Sequence, residues 1–114
     1  MKSKLFLLVF RREYKNPKIH LSPEKLQMHL KKWQEWLTGL AVHDILASQI
    51  KRWDTGGRVL KKGKTISNGP YNEVKEYIDS LITIHAVDYQ EAKEIAQGCP
   101  VFELGGTVEI RMAV

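Results

Sequence analysis

The sequence predicts an α+β fold, in which two helices cover one face of an antiparallel sheet. Three observations support this prediction: an apolar run near the start of the chain, an alternating run at its end, and two amphipathic segments between them. In chain order the elements are strand, helix, short strands, strand, helix and strand. With 114 residues, 43% of them hydrophobic and 27% charged, the chain is expected to form one globular domain over residues 1–114.

The first strand is predicted at residues 5–10, all of which are apolar. Because alternate side chains of a strand point to opposite faces, both faces of this strand are apolar and both need to be covered. Two helices on one side would leave the other face open to water. A second copy of the sheet would cover it, so we expect a symmetric homodimer.

The first helix is predicted from residue 23 to about residue 41. The Ser22 hydroxyl can cap free N–H groups, and Pro23 suits the first helical position. His29 and Trp36 lie together on one edge of the expected buried stripe. That stripe has apolar residues at spacings of three and four, namely Leu26, Leu30, Trp33, Leu37 and Leu40.

The middle of the chain contains shorter elements. Residues 45–53 fit either a short strand or the tail of the helix. A hairpin is predicted next, with arms at 58–60 and 65–66 and its tip at Lys62-Gly63. A long strand follows over residues 77–87, with Ile82, Ile84 and Ala86 on one face.

The second helix begins at a capping box formed by Asp88 and Glu91. Its expected buried face recurs at helical spacing, at Ala92, Ile95, Ala96 and Cys99. The last strand alternates between an apolar face at Val108, Ile110, Met112 and Val114 and a more polar face that includes Glu109 and Arg111.

The net charge of +5 is concentrated in residues 51–64. This segment has six basic residues and one acidic residue, Asp54, whereas basic and acidic residues are equal in number elsewhere. A basic segment that contains Trp53 is one feature of nucleic-acid binding. More commonly, such lysines lie on the solvated edge of a hairpin and prevent aggregation through that edge. We favour the solvated edge and rank nucleic-acid binding through residues 51–64 lower.

Several classes of protein are excluded by composition. The one cysteine, Cys99, cannot form a disulfide within the chain or a multi-thiolate metal site, and it is expected to be a small apolar filler. His20, His43 and His85 lack ligand spacing, so neither a metal nor another cofactor is expected. No apolar run approaches the about 20 residues of a membrane span. The first run is also too short for a signal peptide, so we expect a cytoplasmic protein.

Five short motifs are spread along nearly the whole chain. They are Ser22-Pro23-Glu24, Trp33-Gln34-Glu35-Trp36-Leu37, Asn68-Gly69-Pro70-Tyr71, Gly98-Cys99-Pro100 and Gly105-Gly106. Together they resemble the motifs of the YCII-related, or DGPF-domain, family. The resemblance implies a ferredoxin-like β-α-β-β-α-β domain with an extra hairpin, whose sheet pairs with a second copy in a dimeric α/β barrel. Some members of the family look like accessory partners encoded beside extracytoplasmic-function sigma factors.

The resemblance also points to one candidate catalytic residue. Smaller relatives of the YCII type carry a His-Asp pair that is proposed as an active site, and His29-Leu30 resembles its histidine part. Asp44 lies nearby in the sequence. The family's usual glycine pair before the long strand is replaced by Asp79-Ser80, and Asn68 stands where the DGPF motif has an acid.

Two functions follow as alternatives. The first is a homodimeric small-ligand-binding or accessory module, with a cleft where the first helix, the turn at residues 68–71 and the dimer seam meet. Its expected ligand-binding residues are Trp36, Asn68, Tyr71, Glu73, Lys75 and Arg111. The second is an enzyme of the same shape, with His29 as general base and Arg111 or Lys75 stabilising negative charge. Ion pairs among Glu73, Lys75, Glu109 and Arg111 are the structural alternative for the charged residues.

Overall fold

The computed structural model describes residues 3–13, 21–48, 50–54, 56–67 and 76–114, and it has the predicted α+β architecture. Its helices are α1 (Pro23–Val42), α2 (Tyr89–Ala96) and a 3₁₀ helix, η1 (Pro100–Leu104). Its strands are β1 (Lys4–Glu13), β2 (Lys51–Arg52), β3 (Val59–Lys61), β4 (Lys64–Ser67), β5 (Glu76–Ala86) and β6 (Thr107–Met112). An antiparallel sheet has the order β2-β5-β1-β6, and β3 and β4 form a separate hairpin.

The core lies between this sheet and the two α-helices. The rings of Trp33 and Trp36 on α1 meet the ring of Phe10 edge-on, and Tyr89 on α2 meets Phe6 in the same way. Both helices therefore pack on one face of the sheet, as predicted. The residues of β1 and β5 that point to this face are fully buried and include Phe6, Leu8, Phe10, Ile82 and Ile84.

The opposite face of the sheet, which we call the helix-free face, carries the other residues of β1. Leu5 is 40% exposed and Leu7 is half-buried, whereas Val9, in the middle of the sheet opposite Leu81 and Glu109, is buried. The shortest dimension of the protein is 21 Å. One helix layer on one sheet accounts for that thickness, because each layer is about 10 Å deep.

Helix α1 has the predicted start and nearly the predicted end, but its buried side differs from the prediction. Leu26 and Leu30, expected in the buried stripe, are 43% and 53% exposed. His29, expected at the edge of the stripe, is only 6% exposed. The helix is rotated because Trp33 and Trp36 both pack against Phe10, and because His29 contacts η1, an element that the sequence did not predict.

Residues 45–48 and 50–53 belong to an interrupted edge strand and do not continue α1. Leu46 is bridged to Ile84, and β2 pairs with β5 farther along. Between these two points the hydroxyl of Ser48 accepts hydrogen bonds from the backbone N–H and the hydroxyl of Thr83, at 3.0 and 2.7 Å. The side chain of Ser48 thus replaces part of the backbone ladder.

The hairpin follows the sequence prediction. The second helix begins where predicted but ends at Ala96, so Cys99 lies after it and caps η1. Lys62 and Gly63 form the hairpin tip, where Gly63 has a φ of +70° that favours glycine. The Asp88 side chain caps α2 by accepting from the N–H of Glu91 at 2.9 Å. Of the helices in the described residues, none has the length and apolar character required to cross a bilayer.

Candidate functional site

The candidate site begins with a β-bulge in β5. Phe10 of β1 is opposite Ser80, but the next residue, Arg11, is opposite Ile78. Asp79 is therefore the extra residue of a bulge, a feature that redirects side chains and is common beside binding sites. A regular strand would place Asp79 and Ser80 on opposite faces. Here both line one pocket on the helix side of the sheet.

This pocket lies between α1, the edge strand and the bulge, and we call it the α1–β5 pocket. Its volume is about 190 Å³, and it is partly open to solvent. An apolar and aromatic wall with a few polar groups is typical of small-molecule sites. The lining residues are His29, Leu30, Trp33, Leu37, Ile50, Asp79 and Ser80.

His29 is held on both ring nitrogens. Its Nδ1 lies 3.0 Å from Oε2 of Glu103, and its Nε2 lies 3.0 Å from Nε1 of Trp33. An indole N–H can only donate and an ionised carboxylate can only accept. His29 therefore carries its ring proton on Nδ1, donates it to Glu103, and accepts from Trp33 at Nε2.

Glu103 joins α1 to η1. Its Oε1 accepts from Nζ of Lys32 at 2.6 Å, while its Oε2 accepts from His29. The hydrogen bond from His29, followed by that from Lys32, holds the pKa of Glu103 below its ordinary value. Two residues of α1 and one residue of η1, about 70 positions away in the sequence, thus form one polar cluster at the side of the pocket.

The glycines of the Gly105-Gly106 motif determine the position of η1 against β1, and therefore the position of Glu103 on η1. Gly105 ends η1 with a φ of 72°, a conformation that favours glycine. A Cβ on Gly106 would lie 2.4 Å from Cγ2 of Val101 and 2.7 Å from the carbonyl oxygen of Arg11. The motif therefore lets η1 pack closely against β1.

Two small polar side chains near the bulge have different environments. The hydroxyl of Ser80, which is 1% exposed, has no hydrogen-bond partner. Cys99 is buried, and its Sγ accepts from the N–H of Val101 at 3.4 Å. Burial raises the pKa of the Cys99 thiol to about 12, so the residue is suited to packing and not to nucleophilic chemistry.

The predicted ligand-binding residues do not all meet at this pocket. Trp36 packs on Phe10 and Trp33 beside the pocket, with its indole nitrogen 3.1 Å from where a Cβ on Gly98 would stand. The remaining residues of the predicted cleft that belong to one segment lie outside the described residues. They are Asn68, Tyr71, Glu73 and Lys75.

Arg111 lies on the helix-free face, where its side chain is 71% exposed and forms an ion pair with Glu109. Glu109 also pairs with Arg11 on β1 at 3.1 Å. The bonds from Arg111, in the first place, and from Arg11 lower the pKa of Glu109. The cross-strand pair of Glu109 is thus with Arg11, a residue that the predicted set of ion pairs did not include, whereas Glu109 and Arg111 pair within β6. The sheet separates Arg111 from His29, so the structure does not bring these two predicted residues together.

Asp44 does not pair with His29 either. Asp44 follows the end of α1, about 20 Å along the helix axis from His29 at 1.5 Å per residue. The carboxylate on the histidine is that of Glu103, and the carboxylate in the same pocket is that of Asp79. The sequence has a signal for Asp79, a polar pair that interrupts an apolar strand, but no periodic signal for Glu103.

The basic hairpin segment is exposed. Lys51, Lys61 and Lys62 are open to solvent, and the side chain of Lys64 lies outside the described residues. The guanidinium of Arg58 donates to the backbone carbonyl of Gly57 at 2.7 Å. Within the described parts of the chain, no three or more His, Cys, Asp or Glu side chains are grouped as a metal site requires.

Comparison with known proteins supports the family suggested by the motifs. The model of the YCII-related domain family matches residues 7–113, nearly the whole chain. The search of curated proteins gave no significant match. We conclude from the extent of the family match that the chain belongs to the YCII-related domain family.

Proposed function

We propose that this protein is a small-ligand-binding module and that the α1–β5 pocket is its ligand site. The observation that carries the proposal is the pocket itself, which is partly open, mostly apolar and about 190 Å³ in volume. At its wall the buried hydroxyl of Ser80 lacks a partner. Buried polar groups are nearly always hydrogen-bonded, and a bound molecule would supply the missing partner.

The proposal includes a homodimer of two ferredoxin-like subunits that pair through the helix-free face as a dimeric α/β barrel. The apolar residues of β1 on that face support it, because both helices of each subunit lie on the other side. A second copy is the partner whose surface is self-complementary by symmetry. The single cysteine, buried as a thiol, fits a cytoplasmic location.

A thermal-shift screen against a library of small metabolites tests the binding function. A ligand that binds only the folded state raises stability according to its concentration and affinity, by about 2.7 kcal/mol at one hundred times Kd. We expect at least one class of compound to raise the melting temperature in a concentration-dependent manner. If no compound does so, the pocket is not a ligand site, and the accessory role would require a protein partner instead.

A matched pair of variants locates the binding site. Leu30→Trp adds bulk at the pocket, whereas Leu26→Trp makes the same change one turn earlier, at a residue that is also exposed and does not line the pocket. We expect Leu30→Trp to abolish the thermal shift and Leu26→Trp to retain it. Equal loss in both variants, or in neither, would place the ligand elsewhere.

A second candidate function is an enzyme with His29 as general base, and one contact favours it. The carboxylate of Glu103 on Nδ1 orients the ring as the acid of a catalytic pair does, leaving Nε2 as the basic nitrogen. In this structure Nε2 is already bonded to Trp33, so the base would act only after that bond opens. Binding is therefore the function that the geometry supports better.

The enzyme alternative is tested on the compounds that the screen finds. Each compound is incubated with wild-type protein and with His29→Asn, and the mixtures are followed by mass spectrometry. Conversion by the wild type that is lost in a folded His29→Asn variant would establish the enzyme. Binding of a compound without its conversion, in both proteins, would contradict the enzyme hypothesis and support the binding module.

A further inference from the structure

We infer that the α1–β5 pocket recognises a hydroxyl group on a small apolar molecule, such as an alcohol or a phenol. This inference rests on the proposed ligand-binding function and names the chemistry of the ligand. It is carried by the hydrogen bond between Trp33 and His29 at the pocket wall, together with the unpartnered hydroxyl of Ser80.

The Trp33–His29 bond limits which polar group can enter. The indole of Trp33 offers one donor, and Nε2 of His29 offers one acceptor, because Glu103 keeps the ring proton on Nδ1. A ligand group that only accepts would leave Nε2 unpaired when it takes the indole N–H. A group that only donates would leave the indole unpaired. Each unpaired buried group weakens binding.

A hydroxyl group avoids both losses, because it donates one hydrogen bond and accepts others. When the bond between Trp33 and His29 opens to admit it, its oxygen accepts from Nε1 of Trp33 and its proton is donated to Nε2 of His29. Ser80 also lines the pocket, and its buried hydroxyl, which has no partner, would turn toward the ligand to donate to the lone pair left on the oxygen. All four polar groups are then paired.

The apolar part of the ligand is set by the rest of the wall. Leu30, Leu37 and Ile50 supply aliphatic surface beside the ring of Trp33. The volume of about 190 Å³ compares with the roughly 150 Å³ of an apolar cavity that holds benzene. A single substituted ring is therefore a suitable size.

Three probes of similar shape separate this inference from simple apolar binding. Phenol has the hydroxyl, toluene replaces it with a methyl group, and anisole retains the oxygen without its proton. We expect phenol to bind at least about tenfold more tightly than toluene or anisole, as measured by calorimetry. Toluene or anisole binding as tightly as phenol would overturn the inference while leaving the pocket a ligand site.

Nuclear magnetic resonance provides a readout at the proposed contact. The indole N–H signal of Trp33, assigned by its loss in Trp33→Phe, is expected to shift when phenol is added and to move less with toluene. The signal of Trp53, which lies on the exposed surface, serves as the internal control. Phenol binding with no movement of the Trp33 signal would overturn the inference.

The Ser80→Ala variant tests the second contact. Loss of one neutral hydrogen bond predicts about threefold to tenfold weaker binding of phenol, with binding of toluene unchanged. The melting temperature of the free variant verifies folding. An equal loss for both probes would show that Ser80 shapes the pocket without contacting the hydroxyl.

If none of the three probes binds while a compound without a hydroxyl is found in the metabolite screen, this inference fails and the proposed function stands. If the screen also finds nothing, both fail.

Discussion

The carboxylate of Glu103 accepts a hydrogen bond from Nδ1 of His29 at 3.0 Å, across 74 positions of sequence. This contact joins η1 to α1 and leaves Nε2 as the nitrogen of His29 that accepts, from Nε1 of Trp33. Lys32, one turn of α1 after His29, binds the other oxygen of the same carboxylate. The site is therefore organised by a residue that contributes nothing to the pocket wall.

Removing the Glu103 side chain should destabilise the protein more than neutralising it. Glu103→Ala leaves Nδ1 of a buried histidine without an acceptor, at a cost of about 1–3 kcal/mol. Glu103→Gln retains an amide oxygen for that bond and loses mainly the exposed ion pair with Lys32, which typically contributes about 0–1 kcal/mol. Urea denaturation measures both, with Glu35→Ala as a control at an exposed position on α1. Equal losses in the two variants would contradict the role given to Glu103.

The stabilising effect of the Glu103 charge should depend on pH. The fold lowers the pKa of Glu103 from its ordinary 4.5, so the ionised form is favoured in the folded state. A lowered pKa contributes stability above the unfolded pKa, and that contribution is lost as pH falls through the folded pKa. The difference in melting temperature between wild type and Glu103→Gln should therefore shrink as pH falls below 4.5. A difference that stays constant or grows would show that the charge is not the cause.

Trp33→Phe should remove the hydrogen bond to Nε2 of His29 without changing the tautomer of that histidine. Phenylalanine retains most of the ring packing against Phe10 but has no N–H for Nε2. We expect a loss of about 1 kcal/mol in the free energy of unfolding, and ¹⁵N spectra of His29 that still show the proton on Nδ1. Trp53→Phe, on the exposed surface, should change neither quantity. A shift of the proton to Nε2 would mean that Trp33, and not Glu103, sets the tautomer.

Cys99 should resist thiol reagents in the folded protein. Its thiol is buried and its pKa is raised to about 12, so the thiolate that reacts is scarce near pH 8. Ellman's reagent should label the native protein very slowly and should label one thiol per chain after denaturation in guanidinium. Rapid labelling of the native protein would contradict this assignment.

The helix-free face should mediate dimer formation. We expect light scattering to give a particle of twice the 13.2 kDa chain mass. Leu7→Lys places a charge on this face and should give the single-chain mass. Leu26→Lys, on the exposed part of α1, should leave the dimer intact, and circular dichroism should verify that both variants fold. A wild-type protein of single-chain mass would refute the proposed dimer.

Several parts of the fold were predictable because they depend on local chemistry. The capping groups Ser22 and Asp88 mark the starts of α1 and α2, and both act as caps in the structure. The alternation of β6 identified Val108, Ile110 and Met112 as the residues that pack against the core. The rotation of α1 was not predictable, because it depends on the contacts of Trp33 and Trp36 with Phe10 and of His29 with η1, which periodicity does not show.

The sequence by itself determined the order of the elements, the apolar face of β6, and the family to which the chain belongs. Only the tertiary structure decided the site, since it depends on two features without a periodic signal. One is the bulge that directs Asp79 and Ser80 to the same side. The other is the hydrogen bond between Glu103 and His29, which forms only when η1 packs against α1. A local sequence pattern shows whether a position is apolar. The hydrogen-bond partner of a polar side chain depends instead on which distant segment of the chain packs beside it.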